Sequence, residues 1–148
     1  MGALELGQVM NAETIARIAR KQLKTLGENS NGHAYQVNLK PKHDGSAHLE
    51  DLANGKYRFV YTERGQEYNA RVTDNSQDIL YWIYQDATFE IACKWEVKNR
   101  VPDNDSRRLI FDKQLELLRM IGEEYALRRE KEIEAVLSAH PFTNRNVP

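Results

Sequence analysis

The chain has 148 residues, 41% of them apolar, with 21 basic and 22 acidic side chains and a net charge of −1. That apolar content is enough for a core and excludes wholesale disorder, and the length fits a single domain over 1–148. The charge balance excludes the concentrated positive field that nucleic-acid binding needs. A lone Cys93 rules out an intramolecular disulfide and fits a reducing compartment, where it reads as a small core residue. The first residues, MGALELGQVMNAE, lack the basic segment and long apolar run of a signal peptide. Leu6 stands where a myristoylation motif wants Ser or Thr. The expectation is a soluble, cytoplasmic protein that engages no membrane.

Residues 11–26 read as an amphipathic helix. Asn11 serves as N-cap, Glu13 and Thr14 fill a polar first turn, and Ile15, Ile18, Ala19, Leu23 and Leu26 form the apolar stripe. Gly27 and the polar run after it end the helix. Over 34–73 the period changes. AYQVNLK alternates, with Tyr35, Val37 and Leu39 on one face, while HLEDL is ambiguous. Ala53-Asn54-Gly55 is a turn. KYRFVYTE and QEYNARVT, joined at Arg64-Gly65, make the clearest hairpin. A small antiparallel sheet of three or four strands follows, and one of its faces must pack on helices.

The stretch 77–100, QDILYWIYQDATFEIACKWEVKNR, reads as a central helix about 36 Å long. Asp74-Asn75-Ser76 cap it, and Asp78 suits the positive end of its dipole. It is apolar nearly all the way round. Ile79, Ile83 and Val97 share one side, and Leu80, Ile91 and Trp95 lie roughly opposite, so the helix should be buried on several sides. Charge interrupts it too often for a membrane span. Pro102 prevents its continuation. Residues 106–139 form a second long helix with the stripe Phe111, Leu115, Leu118, Gly122, Tyr125, Ile133 and Val136. Gly122 marks either a bend or a close contact, and whether the helix breaks there is left open by the sequence. His140-Pro141-Phe142 stops it, and 143–148 is a tail. The fold class is α+β: an N-terminal helix, a small antiparallel sheet, then two long antiparallel helices.

Asp86 and Glu90 lie four apart within the apolar arc of the central helix, and Glu96 and Arg100 form a second such pair. Carboxylates in an apolar arc need partners. Arg107 and Arg108 are the nearest candidates, so Asp86, Glu90, Glu96, Arg100, Arg107 and Arg108 are expected to form a structural polar network. The competing reading makes the carboxylates an acid–base pair or metal ligands. No Gly-rich phosphate loop, nucleophile elbow or cofactor motif accompanies them. His33, His43, His48 and His140 have no metal-ligand spacing. The first three are expected at the surface and His140 at a helix end. Neither catalytic residues nor metal ligands nor a cofactor are assigned.

YWIYQDATFEIACKWEVKNR, followed by DSRRLIFDKQLELL and by IEAVLSAHPF, resembles the immunity protein 63 family of bacterial polymorphic toxin systems. The matching positions include Tyr81-Trp82-Ile83, Asp86, Thr88-Phe89, Glu96, Asp105, Arg107-Arg108, Phe111, Gln114 and His140-Pro141-Phe142, within about the last 60 residues. The resemblance implies a non-enzymatic cytoplasmic protein. It would bind and neutralise a cognate toxin domain encoded by a neighbouring gene. The contact surface is expected on loops and the exposed sheet, with Tyr57, Tyr61 and Tyr68 as candidate aromatic anchors. Two other readings stand beside it. One is a small secretion chaperone or adaptor acting as a homodimer, and the other is a small carboxylate-based enzyme.

Overall fold

The computed structural model describes residues 10–27 and 36–143. Helix α1 (Ala12–Lys24) begins at Asn11, whose side chain accepts from the Thr14 N–H at 2.8 Å. The cap serves a first-turn donor that no helical carbonyl can reach. Asp51 does the same for the Ala12 N–H at 2.8 Å and ties the helix start to the sheet. Ile15, Ala16, Ala19 and Leu23 point into the core.

The sheet has three antiparallel strands, β1 (Asp44–Asp51), β2 (Tyr57–Glu63) and β3 (Gln66–Thr73), with β2 in the middle. Asn54 and Gly55 turn β1 into β2, and Arg64-Gly65 joins β2 to β3, all four with positive φ. Two positive-φ residues between paired strands match the twist of a tight hairpin. In the alternating segment at 34–40, the described residues 36–40 form no strand. Asn38 alone bridges to His48, and Tyr35 and His33 lie outside the described residues. The strand is instead Asp44–Asp51, which takes in all of HLEDL but Leu52. Its pattern is hard to read because His48 and Leu49, on opposite faces, are each 1% exposed. His48 is therefore buried, not superficial. Its Nε2 lies 2.6 Å from Glu50, and its Nδ1 meets no partner.

Each edge strand carries an irregularity. The β1–β2 register slips between Asp44 and Ala47, where Gly45 has φ +92°, and the β2–β3 register slips opposite Phe59–Tyr61, where Asn69 has φ 52°. An extra residue on one strand bends it and re-aims its neighbours. The β1 bulge lies opposite Tyr61–Glu63 and the β3 bulge opposite Phe59–Tyr61, so the two meet at Tyr61 of β2.

Helix α2 (Ser76–Lys98) starts at Asn75, which accepts from the Gln77 N–H at 2.9 Å. Ile79, Leu80, Tyr81, Ile83, Tyr84, Ala87, Thr88, Ile91 and Ala92 are buried, on all sides of the helix. This is the enclosure that an all-round apolar helix demands. It ends early: Cys93 and Trp95 are half-buried, and Val97 is 64% exposed.

The segment at 106–139 is two helices, not one: α3 (Ser106–Ile121) and α4 (Glu123–Ala139). Gly122 is extended, with φ 179° and ψ 136°. Its N–H closes α3 on the Leu118 carbonyl at 2.8 Å, and its carbonyl accepts from Tyr125 at 3.1 Å to open α4. Glycine is a poor helix former, and Glu123 and Glu124 suit a new helix start. The chain doubles back, so that Arg119 reaches Glu130 at 2.7 Å. One contiguous apolar core draws on α1, β1, β2 and α2 to α4.

Candidate partner-binding site

The expected polar network divides into separate clusters. Arg107 donates to Asp105, with Nη2 at 2.8 Å, and to the carbonyls of His140 and Pro141 at 2.8 and 2.9 Å. Asp105 also accepts from the Thr143 N–H at 2.9 Å. Arg108 stacks its guanidinium 4.3 Å from the Phe142 ring. Asp105, Arg107, Arg108, His140 and Phe142 thus form a clasp that holds the end of α4 against the start of α3. The Arg107 hydrogen bond, helped by the Thr143 N–H, holds the Asp105 carboxyl well below the usual carboxylate range. Glu96 and Arg100 pair as expected, with Nη2 2.9 Å from Oε1. Arg107 and Arg108 are therefore committed to the clasp, and the expected pairing with Asp86 is replaced by another.

A different set of buried polar groups joins α2, α3 and α4. Gln114 and Thr88 are fully buried. Gln114 donates to the Gln85 carbonyl at 3.1 Å and to Thr88 Oγ1 at 3.3 Å, and it accepts from Arg129 Nε at 2.9 Å. Arg129 also donates to Glu132 at 3.1 Å, and Glu132 accepts from the Tyr81 hydroxyl at 2.5 Å. Buried polar groups that satisfy one another in this way set helix register.

Asp86 takes its hydrogen bond from the sheet, where the Tyr61 hydroxyl donates to Oδ2 at 2.5 Å. Arg71 of β3 donates in turn to the Tyr61 oxygen at 3.3 Å, while its guanidinium lies 4.5 Å from the Trp82 ring. Burial pushes the Asp86 carboxyl up to about 6, against the Tyr61 hydrogen bond and the Arg71 charge, which pull it down. Burial and the neighbouring carboxylate also raise the Tyr61 hydroxyl far above its ordinary value. Glu90, one turn on, pairs with exposed Lys94 at 2.9 Å.

Tyr61, Asp86 and Glu90 border a cavity of about 270 Å³ between α2 and the bulged part of the sheet. Val37, Ala47, Phe59 and Ile83 make its apolar wall, and Asn38, Ser46, Tyr61, Asp44, Asp86 and Glu90 bring polar atoms to it. The β1 bulge at Gly45–Ser46 forms part of its rim. On α2, Ile79, Ile83, Asp86, Glu90, Cys93 and Val97 follow one face at helical spacing. Ile79 is fully buried, Ile83, Asp86 and Glu90 border the cavity, Cys93 is half-buried and Val97 is exposed.

The three tyrosines have separate fates. Tyr57 is 3% exposed and its hydroxyl donates to the Met10 carbonyl, so it is a core residue, not an anchor. Tyr61 is half-buried beside the cavity. Tyr68 is exposed, stacks on Tyr61 at 5.8 Å and donates to the Gly45 carbonyl at 3.3 Å. The sequence pattern did not single out Asn38, Ser46, Phe59 or Arg71. Its one hint was Gly45 beside Asp44, where a strand with a bulge becomes readable only once its partner is known.

Among the described residues, no three or more His, Cys, Asp or Glu side chains are grouped to hold a metal ion. No helix of the described residues is long and apolar enough to cross a membrane.

A family model described as Immunity protein 63 matches residues 53–135, more than half of the chain. The chain belongs to the Immunity protein 63 family. The match to Immunity protein 63 starts at Ala53 and so takes in the β2–β3 hairpin as well as the helices. It includes Tyr61, Arg71 and Asp86 and stops inside α4, before His140-Pro141-Phe142. No curated protein and no solved structure matches the chain.

Proposed function

We propose that this protein is a bacterial immunity protein. It binds the toxin domain of a polymorphic toxin system, encoded by the neighbouring gene, and neutralises it in the cytoplasm by occupying its surface, without chemistry of its own. The observation that carries this reading, beside the family match, is the α2 face that runs from a cavity bordered by Asp86 and Glu90 past half-buried Cys93 to exposed Val97. The exposed edge strand β3, with Tyr68 and Val72, extends the accessible surface. Aromatic and apolar side chains beside a polar cavity suit an interface core with a polar rim. The Cys93 thiol is not set up as a nucleophile. Burial raises the Cys93 thiol, and Glu96 and Glu90 add to the effect, which opposes formation of a nucleophilic thiolate.

Co-expression with the adjacent toxin domain tests this. The expected result is protection of cells and a complex with an inactive toxin variant at micromolar concentration. A Val97→Asp substitution on the open face should weaken that complex about tenfold while leaving the fold intact, because Val97 supports no part of the core. Absence of both protection and complex would remove the reading.

A further inference from the structure

We propose that Arg71, at the bulge of edge strand β3, is a seat for one acidic side chain of the bound partner. The inference deepens the toxin-binding reading and rests on it only for what delivers the carboxylate.

The guanidinium of Arg71 is held in place but is largely unmatched. It lies over the Trp82 ring at 4.5 Å and over the Phe59 ring at 5.5 Å. Stacking of this kind engages the flat face and leaves the N–H groups at the edge free to donate. A guanidinium carries five such donors. One hydrogen bond is formed, from Nη2 to the Tyr61 oxygen at 3.3 Å. The Nε–H is buried without an acceptor, and Nη1 is neither buried nor hydrogen-bonded to a described residue. Arg58, Arg107 and Arg129, which are also sheltered, each have a carboxylate partner. Arg71 has none within salt-bridge distance among the described residues, and its charge reaches Asp86 across the Tyr61 oxygen. A sheltered cation left so short of acceptors costs stability in the free protein, a cost common at functional sites.

The surroundings select an anion. At the β3 bulge lies an open hollow of about 450 Å³ lined by Tyr61, Asn69, Ala70 and Arg71. None of these four is a carboxylate, and the Tyr61 hydroxyl proton is committed to Asp86. The donors left to a visitor are Arg71 and the Asn69 amide. The planar fork of a guanidinium takes a carboxylate through two parallel bonds, here from Nη1 and the second N–H of Nη2. One cation with no second beside it matches the single charge of a carboxylate and not the two of a phosphate. Strand β3 is outermost in the sheet, so a partner chain can approach along its free edge. Asp86 acts as a positioning residue, because it holds the Tyr61 hydroxyl whose oxygen in turn holds Nη2.

The test uses Nα-acetyl-aspartate amide as probe and the asparagine analogue as its neutral control, at constant ionic strength. Both are titrated into the whole protein while NMR follows the Arg71 Nε–H signal and the Ala70 amide. Saturable shifts are expected from the aspartate probe and none from asparagine. Arg71→Lys keeps the charge without the fork and should bind the probe about tenfold more weakly. Ala70→Glu places a carboxylate in the hollow from an exposed position and should abolish binding with the fold intact. No saturable shift, equal shifts from asparagine, or unchanged binding by both variants would overturn the seat. If the probe binds as expected but the toxin domain does not, the seat stands and the immunity reading falls. If the toxin is bound equally well by the parent and by Ala70→Glu, with no probe binding, the immunity reading stands and the seat falls.

Discussion

Helix α2 presents polar groups to two neighbours, and the molecule treats them in opposite ways. Toward α3 and α4, Thr88 and Tyr81 enter a chain of partners that runs through Gln114, Arg129 and Glu132, with each donor answered at hydrogen-bond distance. Toward the sheet, Asp86 has one hydroxyl donor and a cavity. The first arrangement locks three helices together. The second leaves a carboxylate under-supported within reach of solvent and partner. In one helix, completeness of pairing separates the side chains that hold the fold from those available to do something else.

That contrast can be broken by mutation. The largest effect is expected on the closed side. Gln114→Leu leaves the buried Arg129 Nε without its acceptor, and such losses cost about 3 kcal/mol. The urea midpoint should fall accordingly, and the toxin affinity of the folded fraction should not change. A loss below about 1 kcal/mol would mean that the network does not hold the helices.

The clasp comes next. Asp105→Ala removes the N-cap of α3 and the partner of Arg107, for an expected loss of about 1–2 kcal/mol. Its pH signature follows from the depressed carboxyl. With the folded value below the ordinary 3.8, the stabilisation is complete above that value and is lost as pH falls through and below it. Acid titration of stability should therefore be shallower in Asp105→Ala than in the parent below about pH 4.

Asp86 should behave in the reverse sense. Its folded value is raised from 3.8 to about 6, so its contribution is fully present below 3.8 and is lost as pH rises through about 6. Tyr61 and Arg71 face it from the sheet, Glu90 from α2, and Asp44 stands across the cavity. A rise of that size represents at most about 3 kcal/mol, and water at the carboxylate reduces the expected gain from Asp86→Asn at pH 8 to about 1 kcal/mol. Chemical denaturation at pH 4 and pH 8 checks it: the variant should lose the decline between them.

The smallest effect is expected at the helix break. Gly122 is extended, a conformation that alanine adopts freely. A Cβ there would meet mainly the movable end of Glu124, at 2.7 Å, with Tyr125 Cδ2 at 3.2 Å. Gly122→Ala should shift stability by no more than about 0.5 kcal/mol and leave α3 and α4 separate, as helical NMR shifts would report. Fusion into one helix would show that glycine, and not the clasp and the buried network, sets the reversal.

Local chemistry was the legible part of the chain. Asn11 and Asn75 cap the helices they were expected to cap, and Arg64-Gly65 makes the expected hairpin. The all-round apolar face of α2 correctly implied enclosure. Its extent was not readable: Val97 continues the pattern of Ile79 and Ile83 but is 64% exposed. Strand β1 was hidden because a bulge interrupts its alternation and both of its faces are covered at His48 and Leu49. The partner of Asp86 was hidden because it comes from Tyr61, 25 positions away, and only the sheet's placement brings them together. Arg107 and Arg108 looked like partners by proximity, yet Asp105, two residues before Arg107, claims that guanidinium.

Asp86→Asn measured twice, for stability by denaturation and for toxin affinity by calorimetry, tests the division between scaffold and contact most directly. A variant that folds more stably at pH 8 and binds its toxin about tenfold more weakly is the predicted result. A variant that loses stability while binding the toxin as tightly as the parent would place Asp86 with the scaffold and contradict the account.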